Sequence, residues 1–247
     1  MPVPGIPLVE PGADLVAIVS GCLARAGLEL RNGDVLVVAQ KIVSKAEGRR
    51  VDLASVEPSA QAERLATKLD KDPRVIEVIL SESRRVVRAE RNVLILEHRL
   101  GFVMANAGVD QSNVGPESEA SALMLPRDPD GSAERLRAGL EGHWKVRLGV
   151  VINDSFGRPW RRGVTGVAIG AAGVDTLIDK RGAPDLFGRP LKVTVIAHAD
   201  EIAAAASLVM GQADEGVPVV LVRGLPVATT PQPVTSLVRP PEEDLFR

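Results

Sequence analysis

Val146-Arg147-Leu148-Gly149-Val150-Val151-Ile152-Asn153-Asp154-Ser155 is an apolar run that stops on an amide, a carboxylate and a hydroxyl. Gly101-Phe102-Val103-Met104-Ala105 behaves the same way, stopping on Asn106-Ala107-Gly108-Val109-Asp110-Gln111-Ser112-Asn113. Short apolar runs bounded by turn residues read as buried strands. A carboxylate at the end of such a strand is held rigidly and faces the crevice where ligands of mixed sheets bind. Asp110 and Asp154, each beside amide or hydroxyl oxygens, therefore form a hard-oxygen set suited to Mg2+ or Mn2+. Those ions commonly accompany nucleotide phosphates, so the first expectation is metal-assisted phosphate chemistry.

Outward from these two stops, the chain alternates irregularly between helix and strand patterns. Leu15, Ile18, Val19, Cys22, Leu23 and Leu28 predict a helix over 14–28. Strands are expected over 35–39, 93–97, 101–105, 147–152, 164–169, 191–197 and 218–222, and helices over 59–69, 75–81 and 200–210. Ser132 is a candidate cap for a helix over 133–140. Residues 40–48, 115–131, 153–163, 179–189 and 211–216 read as polar, charged or glycine-rich connections. The prolines and acids after Thr229 predict a flexible tail over 230–247, which leaves 1–229 as the folded unit. This order favours a mixed α/β or α+β architecture over a regular doubly wound sheet.

Composition narrows the function classes. With 45% apolar residues in 247, a large core is available. Aromatic residues make up only 2%, too few for a single-strand nucleic-acid stacking platform. A net charge of −2 supplies no general attraction to nucleic acid or anionic membrane. Cys22 is the only cysteine, so neither an internal disulfide nor a cysteine-rich metal site is available. No apolar run is long enough to span a bilayer and no secretory signal stands at the start, so the expected location is the cytoplasm.

Three further stretches carry chemistry. Lys41 and Lys45 follow the strand at 35–39 and place compact positive charge where phosphate oxygens would lie, although the glycine spacing of a P-loop is missing. The competing reading is a solvated basic turn. Arg158, Arg161 and Arg162 follow Asp154 closely, and guanidinium forks suit phosphate or carboxylate. Gln212, between Gly211 and Gly216, offers a carbonyl oxygen in a loop that permits close backbone approach. His98, His143 and His198 lack metal-ligand spacing.

Taken in order, these blocks resemble a known family. Gly33-Asp34-Val35-Leu36-Val37-Val38, Val43-Ser44-Lys45-Ala46-Glu47-Gly48, Asn106-Ala107-Gly108-Val109-Asp110 and Asp154-Ser155-x-Gly157-Arg158-x-x-Arg161-Arg162-Gly163 are similar to the coenzyme F420-0:L-glutamate ligases. Ala199-Asp200-Glu201-Ile202-Ala203 and Val222-Arg223-Gly224-Leu225 extend the resemblance to nearly the whole chain. The resemblance implies a two-lobed, homodimeric enzyme that adds L-glutamate to the deazaflavin F420-0, or to its dehydro form, using GTP and two divalent ions, with K+ a further candidate cation. It implies that Asp110 and Asp154 hold one metal and that Ser155 and Gln212 hold a second. It implies that GTP touches Ile6, Pro7, Leu8, Val9, Gln40, Lys41, Lys45 and Asn113. The loop Met210, Gly211, Gln212, Ala213, Asp214, Glu215, Gly216 and Val217 completes those contacts. Gln40 and Lys41 depart from the hydroxylic residues often found there in archaeal relatives.

The implied chemistry is phosphoryl transfer from GTP to the acceptor carboxylate, followed by attack of the glutamate amine on the acyl phosphate. Arg161 and Arg162 join Asp110 and Asp154 as expected catalytic residues, steadying phosphate or substrate carboxylates. A metal-dependent nucleotide phosphohydrolase and a non-enzymatic nucleotide-binding module are the competing readings.

Overall fold

Residues 1–115 and 120–244 are described by the structure, a computed structural model. Helix α1 (Leu15–Arg25) starts on Asp14, whose carboxylate accepts the Ala17 N–H, and leads into strand β1 (Val35–Ala39). Helix α2 (Gln40–Ala46) and strand β2 (Arg50–Asp52) follow. Next come α3 (Ala60–Leu69), α4 (Pro73–Ser81), β3 (Ser83–Glu90), β4 (Val93–His98) and β5 (Val103–Ala105). The second half holds β6 (Ser121–Leu123), α5 (Pro129–Trp144), β7 (Gly149–Arg158) and β8 (Arg161–Ala172). It ends with β9 (Ile178–Asp179), β10 (Val195–Ile196), α6 (His198–Met210) and β11 (Val219–Val222).

The main sheet has the order β11-β1-β7-β8. Only β1 and β7 are parallel, and their near-continuous apolar runs are what a pair covered on both faces requires. Helices α1, α5 and α6 share this sheet's hydrophobic cluster, with Leu23, Leu36, Leu140 and Ile152 fully buried in it. A second cluster joins α3 and α4 to the β3-β4-β5 sheet through Leu69, Ile76, Ile79, Leu94 and Leu96. The architecture is mixed α/β, with no closed barrel and no regular Rossmann sheet among the described residues. No helix among them is long and apolar enough to cross a membrane.

Buried charge lies between the two clusters. Arg49 donates from Nε to the Leu125 carbonyl (2.8 Å) and from Nη2 to Glu82 (2.7 Å), while Arg99 Nε reaches the same carboxylate at 3.1 Å. Burial opposes ionisation of Glu82, but His98 Nε2 at 3.4 Å, the hydrogen bond from Arg49 and the Arg49 and Arg99 charges outweigh it and hold the carboxyl at about 2.

Several boundaries differ from the sequence expectation. Residues 40–46 form α2 and not a polar turn, because Gln40, Val43 and Ser44 recur at helical spacing on one buried face, with Ile42 buried beside them. Asp128 caps α5 with Pro129 at its first position, a stronger start than Ser132, which sits inside the helix bonded to Glu47. The expected loop over 153–163 is the outer half of a hairpin, since β7 and β8 run on as a ladder past Asp154 to a turn at Pro159 and Trp160. The strand expected over 191–197 contracts to two residues, with Val193 85% exposed. The loop expected over 115–131 contains β6 and the start of α5, and its residues 116–119 lie outside the described ones. Past Thr229, Val234 is fully buried in the first cluster and Gln232 accepts the Thr176 N–H at 2.9 Å.

Candidate active site

The register of the parallel pair builds the site. Ala39 pairs with Asn153, so β1 ends level with the point where β7 turns polar. The first turn of α2 therefore brings Gln40 and Lys41 beside Asn153 and Asp154, at the carboxyl ends of parallel strands where open sheets bind ligands. A cleft of about 640 Å³ opens there, lined by Gln40, Lys41, Lys45, Asn113, Asn153, Asp154 and Ser155. Ile6, Pro7, Leu8 and Val9 form one lip, and Met210, Gly211, Gln212, Ala213, Asp214, Glu215, Gly216 and Val217 form another. Every residue that the resemblance assigns to GTP thus lines one cavity.

Asp110 joins it from the other core. Its backbone exchanges hydrogen bonds with Leu123 (3.0 and 2.8 Å), and its carboxylate accepts from Ser112 N (2.8 Å), Ser112 Oγ (3.0 Å) and Lys41 Nζ. Lys41 Nζ also donates to the Ser112 carbonyl at 3.0 Å. Burial pushes the Asp110 carboxyl up, but the Lys41 ammonium and the Ser112 donors prevail and leave it below the ordinary carboxylate range. Asp154 has the opposite fate. Burial raises its carboxyl to about 6, the Ser155 N–H and the Lys41 charge act against that rise, and the Asp110 charge adds to it. One ammonium is thus shared unequally between two carboxylates.

Lys45 donates to the Asn113 carbonyl at 2.7 Å, and its ammonium is lowered by burial and then by the Lys41 charge. Asn113 Nδ2 reaches the Ala213 carbonyl at 3.1 Å and so ties the Asp110 segment to the Gly211 loop. Gln40 lines the cleft, but its carbonyl oxygen is already used by the Ser44 hydroxyl at 2.9 Å.

The donor set tests the fit to a divalent ion. Among the described residues, no group of three or more His, Cys, Asp or Glu side chains converges, which argues against a zinc-type site. The side-chain oxygens that line the cleft are those of Asp154, Ser155 and Gln212, and Asp110, which is not in its lining, adjoins it through Lys41. Asn153 Oδ1 adds a buried oxygen with no hydrogen-bond partner, an arrangement that normally calls for a missing donor or ion. This set fits Mg2+ or Mn2+, which keep water and phosphate oxygens in the rest of their shell.

Two features escaped the sequence reading. The sequence marks Asn153 only as the amide beside Asp154, and gives no sign that its oxygen is buried without a partner. The Lys41–Asp110 pair spans 69 residues and has no local signature. Arg161 and Arg162 are not brought to the cleft: Asp154 and Arg158 are four residues apart on β7, roughly 13 Å, and Arg161 stands opposite Arg158. Both arginines are exposed.

The sequence model of the F420-0:gamma-glutamyl ligases matches residues 5–224. The chain belongs to this family. A relative from Methanothermobacter thermautotrophicus, named coenzyme F420:L-glutamate ligase, is 47% identical over 99% of this chain and 97% of its own length. Relatives of the same name from Methanopyrus kandleri and Archaeoglobus fulgidus are 48% and 43% identical, covering 100% of this chain and 96% and 95% of their own. Membership supports an amide-bond-forming ligase of F420 biosynthesis.

Proposed function

We propose that this chain is a GTP- and divalent-metal-dependent ligase that joins L-glutamate to the deazaflavin F420-0 through an acyl phosphate. The observation that carries the reading is the placement of Asp154 in a cleft of nucleotide size that Lys41 and Lys45 also line, with Asp110 paired to Lys41, in a chain of this family. Asp110 and Asp154 would hold one Mg2+ or Mn2+, and Ser155 and Gln212 a second. Such ions, when bound, offset triphosphate charge and align donor with acceptor. Lys45 is placed to meet phosphate oxygens at the cleft wall, and Lys41 balances whichever carboxylate lacks a cation. The acceptor carboxylate takes the γ-phosphoryl group and GDP departs. The glutamate amine, once deprotonated, attacks the acyl carbon and expels phosphate.

The same reading makes the enzyme a cytoplasmic homodimer. Leu186, Phe187 and Val193 on the β9–β10 arm are 98%, 82% and 85% exposed, and Leu208 on α6 is 88% exposed. Apolar surface of that kind suits a second copy. Arg161 and Arg162, remote from their own cleft, would then serve the partner's substrate. Incubation with GTP, Mn2+, glutamate and F420-0, read by product mass, tests the proposal. A glutamate-dependent mass gain supports the ligase, whereas GDP release without coupling means a hydrolase and no turnover means a binding module.

A further inference from the structure

Asp154 stands between two cavities. One is the nucleotide cleft. The other is a recess of about 240 Å³, walled by Phe102, Phe156 and Val167 on one side and Leu237, Val238 and Arg239 on the other. Val167 is the cross-strand partner of Asp154, so their Cβ atoms are about 4.5–5.5 Å apart on one face of the hairpin. Phe156 lies two residues along and shares that face. The recess therefore begins one side chain away from the carboxylate that lines the cleft.

Its walls have a definite chemistry. The chain has four Phe, two Trp and no Tyr, yet Phe102 and Phe156 meet here edge to face, with centroids 6.1 Å apart and planes at 77°. Aromatic faces and edges in this arrangement accept a further flat ring in stacked or T-shaped contact. Asp200 also lines the recess. Its Oδ1 accepts the Ala168 N–H at 2.9 Å, and its Oδ2 has no partner among the described residues, leaving it open to a ring N–H. Arg239 at the rim is exposed and only loosely engaged, with Nη1 3.5 Å from the Glu243 carbonyl. Leu237, Val238 and Arg239 lie beyond residues 5–224, so the family match does not account for this wall.

We propose that this recess is the subsite for the acceptor's ring: a planar heteroaromatic with an N–H edge, on a phosphorylated arm whose far carboxylate reaches Asp154. The proposal rests on the ligase reading above, which calls for two substrates to converge on Asp154 from different sides. Phe102 and Phe156 would hold the ring, Asp200 would accept its N–H, and Arg239 would meet the phosphate of the arm.

The test uses the full chain with Phe156→Leu and Arg239→Gln, two probes and one control. The probes are the deazaflavin nucleoside, ring and ribityl chain without phosphate, and F420-0, each followed by its own fluorescence. The control is GTP affinity by calorimetry with Mn2+, and thermal melts verify folding. Phe156→Leu is expected to weaken both probes about tenfold, through lost ring contact. Arg239→Gln, an exposed change that cannot cost the core, is expected to weaken F420-0 by about tenfold and leave the nucleoside unchanged. GTP affinity stays within about twofold in both, because neither residue lines the nucleotide cleft. A wild type that forms product while both variants bind both probes normally overturns the subsite alone. A wild type that binds neither probe and forms no product overturns the ligase reading and the subsite with it.

Discussion

Asp154→Asn is expected to stabilise the ligand-free protein near neutral pH. The native Asp154 carboxyl sits at about 6, against an ordinary value of 3.8, chiefly because burial disfavours its charge. Between those two values the folded chain binds a proton that the unfolded chain has released, so stability falls as pH rises through this window and stays lower above it. That gap corresponds to about 3 kcal/mol. Asparagine keeps the shape and can still accept the Ser155 N–H, which now ends on Asp154 Oδ1 at 2.8 Å, but it has no charge to desolvate. Urea unfolding of both proteins across pH 4 to 8 should show little difference at the acid end. By about pH 7.5 the variant should lead by up to about 3 kcal/mol, roughly 6–12 °C in Tm. Ligation by the same variant should be lost, the trade expected where a site stores electrostatic strain for function. A variant no more stable than wild type at pH 7.5, or a gap independent of pH, would refute the reasoning.

Lys45→Ala should raise the apparent GTP constant about tenfold, as for loss of a charge-assisted contact, and leave the glutamate constant unchanged; steady-state kinetics with each substrate varied would return Lys45 to the surface-turn reading if GTP were unaffected. Glu82→Gln should destabilise the protein at neutral pH by about 3 kcal/mol, because a folded value of about 2 against 4.5 supplies stability present above pH 4.5 and lost as pH falls towards 2. Denaturant titrations at pH 7 and pH 2.5 would show the gap closing in acid. Arg161→Lys and Arg162→Lys should leave GTP affinity unchanged and reduce turnover only if the enzyme is a dimer, so kinetics paired with sedimentation on the same samples decide whether these side chains serve a partner's cleft.

The main sheet was legible because its strands are wholly apolar: Val35 to Ala39 and Val150 to Ile152 admit little else. Asp154 was legible for the related reason that it follows one of those runs, and Asp110 as the acid of the polar stop after β5. The outer half of the β7–β8 hairpin was not, since residues 154–163 read as polar and their strand state rests on pairing with residues 161–167. Helix α2 escaped for a related reason: its four buried residues, Gln40, Ile42, Val43 and Ser44, include two polar ones, so no apolar helical stripe shows in the sequence. The arginines were legible as anion ligands by type, but their distance from Asp154 follows from strand length, which local pattern does not give.

The two carboxylates reach the site by different means, and that difference ties metal binding to the packing of the two cores. Asp154 lies on a regular strand of the first core. Asp110 follows three successive left-handed residues, Asn106, Ala107 and Gly108, with φ of 51°, 49° and 70°. That region costs L-residues about 1–2 kcal/mol each. A side chain at Gly108 is excluded outright, because its Cβ would lie 2.7 Å from Leu125. The turn is held by burial of Ala107 in the second core, by Lys71 Nζ on Asn106 Oδ1 at 3.1 Å, and by the Asp110–Leu123 bridge. The separation of Asp110 from Asp154 therefore depends on how the cores dock, to which the Arg49–Glu82 and Lys41–Asp110 pairs contribute. Under the proposed metal site, a cation that engaged both carboxylates would displace Lys41 from Asp110 and tie the same joint. At a hundredfold excess over its dissociation constant it would add about 2.7 kcal/mol to the folded state. Lys41→Met, which removes the competing ammonium, should accordingly bind Mn2+ more tightly while being less stable without it; a variant in which both quantities fell together would show that Lys41 supports the metal site and does not compete with the ion.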